Sequence, residues 1–165
     1  MKELFFQYFI NKYDLFNFAV EDNDEFIRII PEIVFYEKGK WKNNIRIDII
    51  KINIVDIPFN LRTIIDMMRD KKGEIGIRIK IFKEIIDDKI IIKTKLKLNG
   101  IIGSLINKAI NLKVKIEMIN NTEVKLIYDL KSILQTELLN HIENKIENYY
   151  IKKVDEYIKT NVVKN

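Results

Sequence analysis

Residues 74–98 carry the clearest pattern of apolar and polar positions in the chain. In Glu74–Phe82, Ile75, Ile77, Ile79 and Ile81 alternate with other residues; in Asp88–Leu98, Ile90, Ile92, Thr94, Leu96 and Leu98 do the same. A strand turns successive side chains to opposite faces, so this period of two predicts a hairpin with one oily and one wet face. The polar break at Lys83–Asp88 is its turn. Arg78, Lys80, Lys93, Lys95 and Lys97 then share the wet face.

A second hairpin follows. Leu112, Val114, Ile116 and Met118 alternate, Asn120-Asn121 turns the chain, and Val124, Leu126, Tyr128 and Leu130 return. Lys113, Lys115 and Lys125 point the other way and extend the basic face. Earlier, Trp41 to Ile57 reads as one long strand in which Ile45, Ile47 and Ile49 set one phase and Ile50, Ile52 and Ile54 the other. Such a slip predicts a β-bulge at Ile49-Ile50 and a strongly curved sheet. Glu37–Lys40 and Glu21–Asp24 read as turns by composition. Glu25–Tyr36 is a strand candidate, with Pro31 marking an edge or a bulge. Leu15–Val20 reads as a short strand. In residues 2–13, Leu4 and Tyr8, and Phe5 and Phe9, stand at helical spacing and predict a short helix.

Helical periods appear in three further places. Pro58-Phe59-Asn60 stops the long strand, Asn60 is a fair N-cap, and Leu61–Asp70 fits a short helix with Leu61, Ile64, Ile65 and Met68 in one stripe and Gly73 as its stop. Asn99-Gly100 ends the first hairpin, and Ile101–Asn111 reads as a second short helix with Ile102, Leu105, Ile106 and Ala109 inward. From Lys131 to about Lys159 there is neither Gly nor Pro. Leu134, Leu138, Ile142, Ile146, Tyr149, Lys153 and Tyr157 share a face there, flanked by Ile133, Val154 and Ile158, which predicts one long amphipathic helix. Strand–strand–helix thus recurs three times. The expected fold is a single α+β domain over residues 1–165: a curved, largely antiparallel sheet with two short helices and one long C-terminal amphipathic helix packed on its apolar face.

Composition narrows the chemistry. The 165 residues are 47% hydrophobic and 32% charged, a globular balance, with a formal net charge of +5. The enrichment in Ile, Lys and Asn is what an AT-rich genome writes, so basicity by itself names no partner. There is no cysteine, which removes disulfides, thiolate metal sites and thiol nucleophiles, and one histidine, His141, which removes a multi-histidine metal site. No cofactor or metal is therefore expected. The apolar N-terminus is interrupted by Gln7, Asn11, Lys12 and Asp14 and shows no signal-peptide core, and no run approaches a membrane span, so the expected location is cytoplasmic, extending to a peripheral membrane position.

No catalytic constellation assembles. His141 stands beside Asn140 and Glu143 with no nucleophile, and reads as a surface or interfacial histidine. Ser104 and Ser132 lack a nucleophile-elbow context. Glu84, Asp87 and Asp88 make a solvated hairpin tip. Gly100-Ile-Ile-Gly103 has neither the spacing nor the lysine of a phosphate loop. The aromatic stretch Phe5, Phe6, Tyr8, Phe9, Tyr13, Phe16 and Phe18 reads as core. The face of Arg78, Lys80, Lys93, Lys95, Lys97, Lys113 and Lys115 would track phosphates, but only Phe82 stands among them as a stacking platform, which disfavours nucleic acid. The surplus of aliphatic surface is the stronger clue: sheet and long helix either pack solidly or enclose an apolar groove.

Two segments carry a family resemblance. Ile57–Ile77 contains Ile57-Pro58-Phe59, then a short helix, then Asp70-Lys-Lys-Gly73-Glu-Ile75-Gly-Ile77, and resembles a segment of AsmA-like lipid-transfer proteins; Gly100–Ile110 resembles the helix that follows there. The long helix against a curved sheet is similar, in architecture, to tubular lipid-binding (TULIP) domains. The resemblance implies an apolar groove for acyl chains and no catalytic residues. The expected function is non-enzymatic binding of a lipid or another apolar ligand, lined by Ile77, Ile79, Ile92, Leu96, Val114, Leu138, Ile142 and Ile146, with an anionic membrane surface as a further partner. The alternatives are a structural module pairing with itself or another protein through the long helix or a sheet edge, and nucleic-acid binding through the basic face.

Overall fold

The computed structural model describes residues 1–21, 29–55, 57, 59, 62–120, 123–132 and 136–162; of residues 110, 131, 132 and 136–139 it describes the backbone alone. Seven strands form one antiparallel sheet: β1 Lys2–Gln7, β2 Ile33–Glu37, β3 Ile45–Ile52, β4 Ile75–Ile86, β5 Lys89–Leu98, β6 Ile110–Met118 and β7 Glu123–Ser132. Their order is β1-β7-β6-β5-β4-β3-β2, so the chain lays its strands side by side from β2 onward and returns β1 to the far edge. Helix α1 (Lys12–Phe16) runs on as a wider π-turn over Asn17–Glu21. Helix α2 (Arg62–Met68) joins β3 to β4, and α3 (Gly100–Ala109) joins β5 to β6. The segments Thr136–Lys145, Ile146–Ile151, Lys152–Tyr157 and Ile158–Val162 follow one another without interruption as the long helix α4. The expected α+β fold is therefore the observed one, including the three strand–strand–helix units.

The β4–β5 hairpin pairs Ile77 with Leu98, Ile79 with Leu96 and Ile81 with Thr94, which puts the oily face on the concave side. Its turn is tighter than the polar break suggested. Both strands run to Ile86 and Lys89, and Asp87 and Asp88 make the turn alone, at φ of 49° and 63°. A two-residue hairpin of type I′ needs positive φ at both positions, which Asp tolerates. Asn43 and Asn44, at 50° and 63°, do the same before β3, so the turn lies there and not at Glu37–Lys40, and Trp41 to Ile57 is not one strand.

The phase slip in that segment also has a different origin. β3 pairs with β4 in unbroken register from Ile45↔Phe82 to Ile52↔Ile75, so there is no bulge at Ile49-Ile50. Ile45, Ile47 and Ile49 lie on the convex face, and Ile47 is 46% exposed. The concave face carries Arg46 and Asp48 instead, each 1% exposed. Arg46 donates from Nε and Nη2 to the two Asp48 carboxylate oxygens at 2.8 Å, and from Nη2 to the Val20 carbonyl at 2.7 Å. Asp48 also accepts from the Gly39 amide at 2.9 Å and the Tyr36 hydroxyl at 2.6 Å. A Cβ on residue 39 would stand 2.1 Å from the Ile47 carbonyl oxygen, so glycine is needed for that approach. The irregularity falls in β2, an edge strand whose register shifts between Ile33 and Phe35. Pro31 precedes it in a turn; the earlier part of the expected Glu25–Tyr36 strand lies outside the described residues.

The N-terminal assignments reverse. Residues 2–7 form a strand, paired from Lys2↔Tyr128 to Gln7↔Glu123, with Leu4 and Phe6 inward and Phe5 outward. Leu15–Val20 is helical, capped by Asn11, whose side chain accepts from the Tyr13 amide at 2.8 Å. Phe16, Phe18 and Val20 are buried with Asn17 exposed between them, a period of two that reads as a strand although the segment is helical. With Tyr8, Ile81, Ile90, Ile92, Met118, Val124 and Ile158 they form one solid core under α1 and the end of α4. A second cluster, built on Ile50, Ile75 and Ile77, lies at the other end of the sheet.

Candidate functional site

At that second end the concave sheet and α4 do not meet. Between them lies a cavity of about 820 Å³. Its floor is Ile77 from β4, Leu96 and Leu98 from β5, and Leu112 from β6; its roof is His141, Ile142, Lys145, Ile146 and Tyr150, the four-residue steps of one helical face. The side walls are the two short helices, α2 giving Ile64, Ile65, Met67 and Met68, and α3 giving Ile102, Leu105 and Ile106. Val55, Met67 and Leu105 belong to the lining yet are 87%, 57% and 57% exposed, so they form a mouth open to solvent.

Specific side chains hold the walls in place. Asn107 replaces a strand partner for Leu98, accepting from its amide and donating to its carbonyl, both at 2.9 Å. Gly103 lets α3 sit directly on the end of β5, since a Cβ there would stand 2.9 Å from that of Leu98. Arg69, just after α2, donates to the Ile54 carbonyl at 2.6 Å, the Gly73 carbonyl at 2.8 Å and Asn53 Oδ1 at 3.2 Å, tying the exit of β3 to the turn before β4. Along α4, Glu147 accepts from Lys2 and Tyr128, and the Tyr8 hydroxyl donates to Asp155 at 2.6 Å. Nearer the cavity, the Tyr149 hydroxyl donates to Glu32 Oε1 at 2.7 Å.

Polar groups in the lining are few: Glu32, Asn53, Asn107, His141, Lys145 and the Tyr150 hydroxyl. Glu32 Oε2 is buried without a hydrogen-bond partner. Burial first, then the Glu32 charge and Tyr149, push the Tyr150 phenol up to about 12. Among the described residues no group of three or more His, Asp or Glu is placed to hold a metal ion. Nor is any helix long and apolar enough to cross a membrane.

Of the residues assigned to a groove from sequence, Ile77, Leu96, Ile142 and Ile146 line the cavity. Ile92 is buried in the solid core, Ile79 packs between the two clusters, and Val114 faces Thr94 on the sheet outside the lining. The Leu138 side chain lies outside those described, as do Asn60 and Leu61. His141, read as a surface or interfacial residue, is part of the roof. Leu105, read as inward, is at the mouth. The basic residues stand on the opposite face: Arg78 pairs with Lys97, Lys80 with Lys95, Lys93 with Lys115 and Lys95 with Lys113 across the convex side. Glu32, Asn53 and Tyr150 were missed. Tyr150 sits at the four-residue step after Ile142 and Ile146, a signal the periodicity did contain; Glu32 has none.

No protein-family model matches this sequence, and no curated protein matches it. Solved structures do match in fold. Ara h 8.0201 aligns at a TM-score of 0.58 over 97% of this chain and 97% of its own, with 14% identity. A STAR-related lipid transfer protein (fragment 25–204) from Xanthomonas axonopodis aligns at 0.59 over 96% of this chain and 84% of its own, with 9% identity. The architecture is thus the Bet v1/START-like α+β fold. Neither likeness is to an AsmA-like or TULIP protein, although the coarser sequence reading, a fold used for lipid, agrees with the name of the second.

Proposed function

We propose that this protein binds a lipid or another apolar small molecule in the cavity beneath α4 and performs no chemistry on it. The cavity carries this reading. Ligand sites run to roughly 300–1,000 Å³ and are mostly apolar with a few placed polar groups, and this one holds about 820 Å³ among aliphatic side chains. Its aliphatic walls and its mouth open to solvent suit an apolar molecule that enters from outside. The STAR-related neighbour, named as a lipid transfer protein, supports the same reading.

Exchange would run through the mouth at an anionic membrane surface. Val55, Met67, Ile101 and Leu105 are exposed apolar side chains on or beside α2 and α3, and Arg62, Lys71, Lys72 and Lys108 are exposed near them. Apolar residues edged by cations suit an interface of acyl chains and phosphates.

The test uses a neutral fluorophore, N-phenyl-1-naphthylamine, with native mass spectrometry of the purified protein. Saturable uptake is expected, and Leu96→Trp, which fills the floor, should abolish it while leaving the circular dichroism of the fold unchanged. Absence of uptake together with absence of any co-purified apolar molecule sinks the reading.

A further inference from the structure

Among the described residues the apolar lining contains one carboxylate, and its arrangement is lopsided. Glu32 Oε1 accepts from Tyr149 at 2.7 Å, while Oε2 is buried with no partner. A buried oxygen of this kind is costly unless a donor reaches it. Beside it, burial first and then the Glu32 charge push the Tyr150 phenol up to about 12. The other ionisable groups of the lining among the described residues are Lys145 and His141, and Lys145 Nζ lies 5.0 Å over the Tyr149 ring.

We propose that Glu32 is the polar anchor of the cavity, and that the preferred ligand is an apolar molecule ending in a hydrogen-bond donor, an amine or a hydroxyl, rather than in a carboxylate. This rests on the apolar-ligand reading and adds the headgroup to it. The tail lies along Ile77, Leu96 and Ile146, and the donor reaches Glu32 Oε2. A second carboxylate there would bring like charges together and leave Oε2 unsatisfied, so acids bind less well. Charge-assisted hydrogen bonds are roughly twice as strong as neutral ones, which makes the amine the better of the two donors.

The experiment is displacement of bound N-phenyl-1-naphthylamine by decylamine, 1-decanol and decanoate at neutral pH. In the native chain, decylamine should compete about tenfold better than decanoate, with decanol between them. Glu32→Gln should collapse the spread to within a few-fold, each competitor being read against the fluorophore affinity measured for that variant. Tyr149→Phe frees Oε1 as a second acceptor and should keep or widen the spread. Decanoate competing as well as the amine in the native chain overturns the proposal, and needs no variant to fold. So does an unchanged ranking in Glu32→Gln, or identical behaviour of the Gln and Phe variants, which would mean that Glu32 only braces Tyr149. Failure of the fluorophore to bind, with no apolar molecule co-purified, refutes the apolar-ligand reading itself.

Discussion

Two ends of the same strands are covered by the same helix with opposite results. Where β4 carries Ile81 and β5 carries Ile90 and Ile92, the space below α4 is taken up by rings: Tyr8, Phe16 and Phe18 are buried, with Phe6, Trp41 and Tyr157 against them. Phe18 and Tyr157 stack at 5.8 Å. Where β4 carries Ile77 and β5 carries Leu96 and Leu98, only Tyr150 and His141 among the described lining residues have aromatic rings, and the aliphatic side chains stop short of one another. Helix α1 fills the first end; α2 and α3 stand at the rim of the second and act as walls. The oily stripe of the strands is the same throughout, so hollowness follows from side-chain volume and from where the short helices sit.

The Arg46–Asp48 pair is the firmest fixture of the filled end, because it ties β3 to Val20 at the end of the α1 segment. Breaking one partner of a buried pair leaves the other charge uncompensated, at a cost of about 3–5 kcal/mol. Asp48→Ala should lower stability by that amount in urea unfolding, the largest single effect here. A loss under 1 kcal/mol would mean that the end is not held as described. The next test makes one kind of truncation at both ends. Ile92→Ala opens a void in packed surroundings and should cost ~2–5 kcal/mol. Leu96→Ala enlarges a space that already exists and should cost less than about 2 kcal/mol, since much of that penalty comes from creating a cavity. Equal losses would show that the second end is as tightly packed as the first.

From α2 onward the pattern read from sequence survives: the two hairpins from β4 to β7, the two short helices and α4. What failed has a common physical cause. Local pattern assumes that polar residues face water, and Arg46 and Asp48 break that assumption by satisfying each other, which turned a regular strand into an apparent bulge. Lys2–Gln7 takes its strand geometry from β7, more than a hundred positions away, and no local window contains that partner. The Leu15–Val20 segment shows a period of two at Phe16, Phe18 and Val20 and yet is helical, because residues around most of the turn are buried. At the site, Ile77, Leu96, Ile142 and Ile146 follow from strand alternation and helical steps. The split of that continuous face into filled and hollow halves does not, because it depends on rings delivered from the other end of the chain.

A finer comparison uses two tyrosine–carboxylate bonds of nearly equal length. Tyr8 is 5% exposed and donates to Asp155 at 2.6 Å within the filled end, and Tyr149 donates to Glu32 at 2.7 Å beside the cavity. Removing a buried donor costs about 1–3 kcal/mol when the acceptor finds no replacement. Tyr8→Phe should fall in that range. Tyr149→Phe should cost at least as much, because Glu32 Oε2 is already buried without a partner and the freed Oε1 joins it. The two melting temperatures, measured side by side, decide it.

The smallest effect is silent at neutral pH and appears only in alkali. Tyr150 has an ordinary pKa of 10.0 when unfolded and about 12 when folded, raised by burial first and then by the Glu32 charge. Between those values the folded chain holds a proton that the unfolded chain has lost. Its contribution is fully present below pH 10.0 and is lost as the pH rises toward about 12. Tyr150→Phe should flatten that part of the stability profile and leave the profile below pH 9 unchanged. A ligand in the cavity buries the phenol further, so a bound neutral probe should move the Tyr150 titration upward and weaken in affinity as the phenol ionises. Tyr8 is also raised, by burial first and then by its bond to Asp155, but it lies in the filled end and should not respond to the probe. Ring-labelled tyrosine NMR across this range, with and without probe, reads both residues at once. A probe that shifts Tyr8 as much as Tyr150 would place the ligand elsewhere and remove the distinction between the two ends.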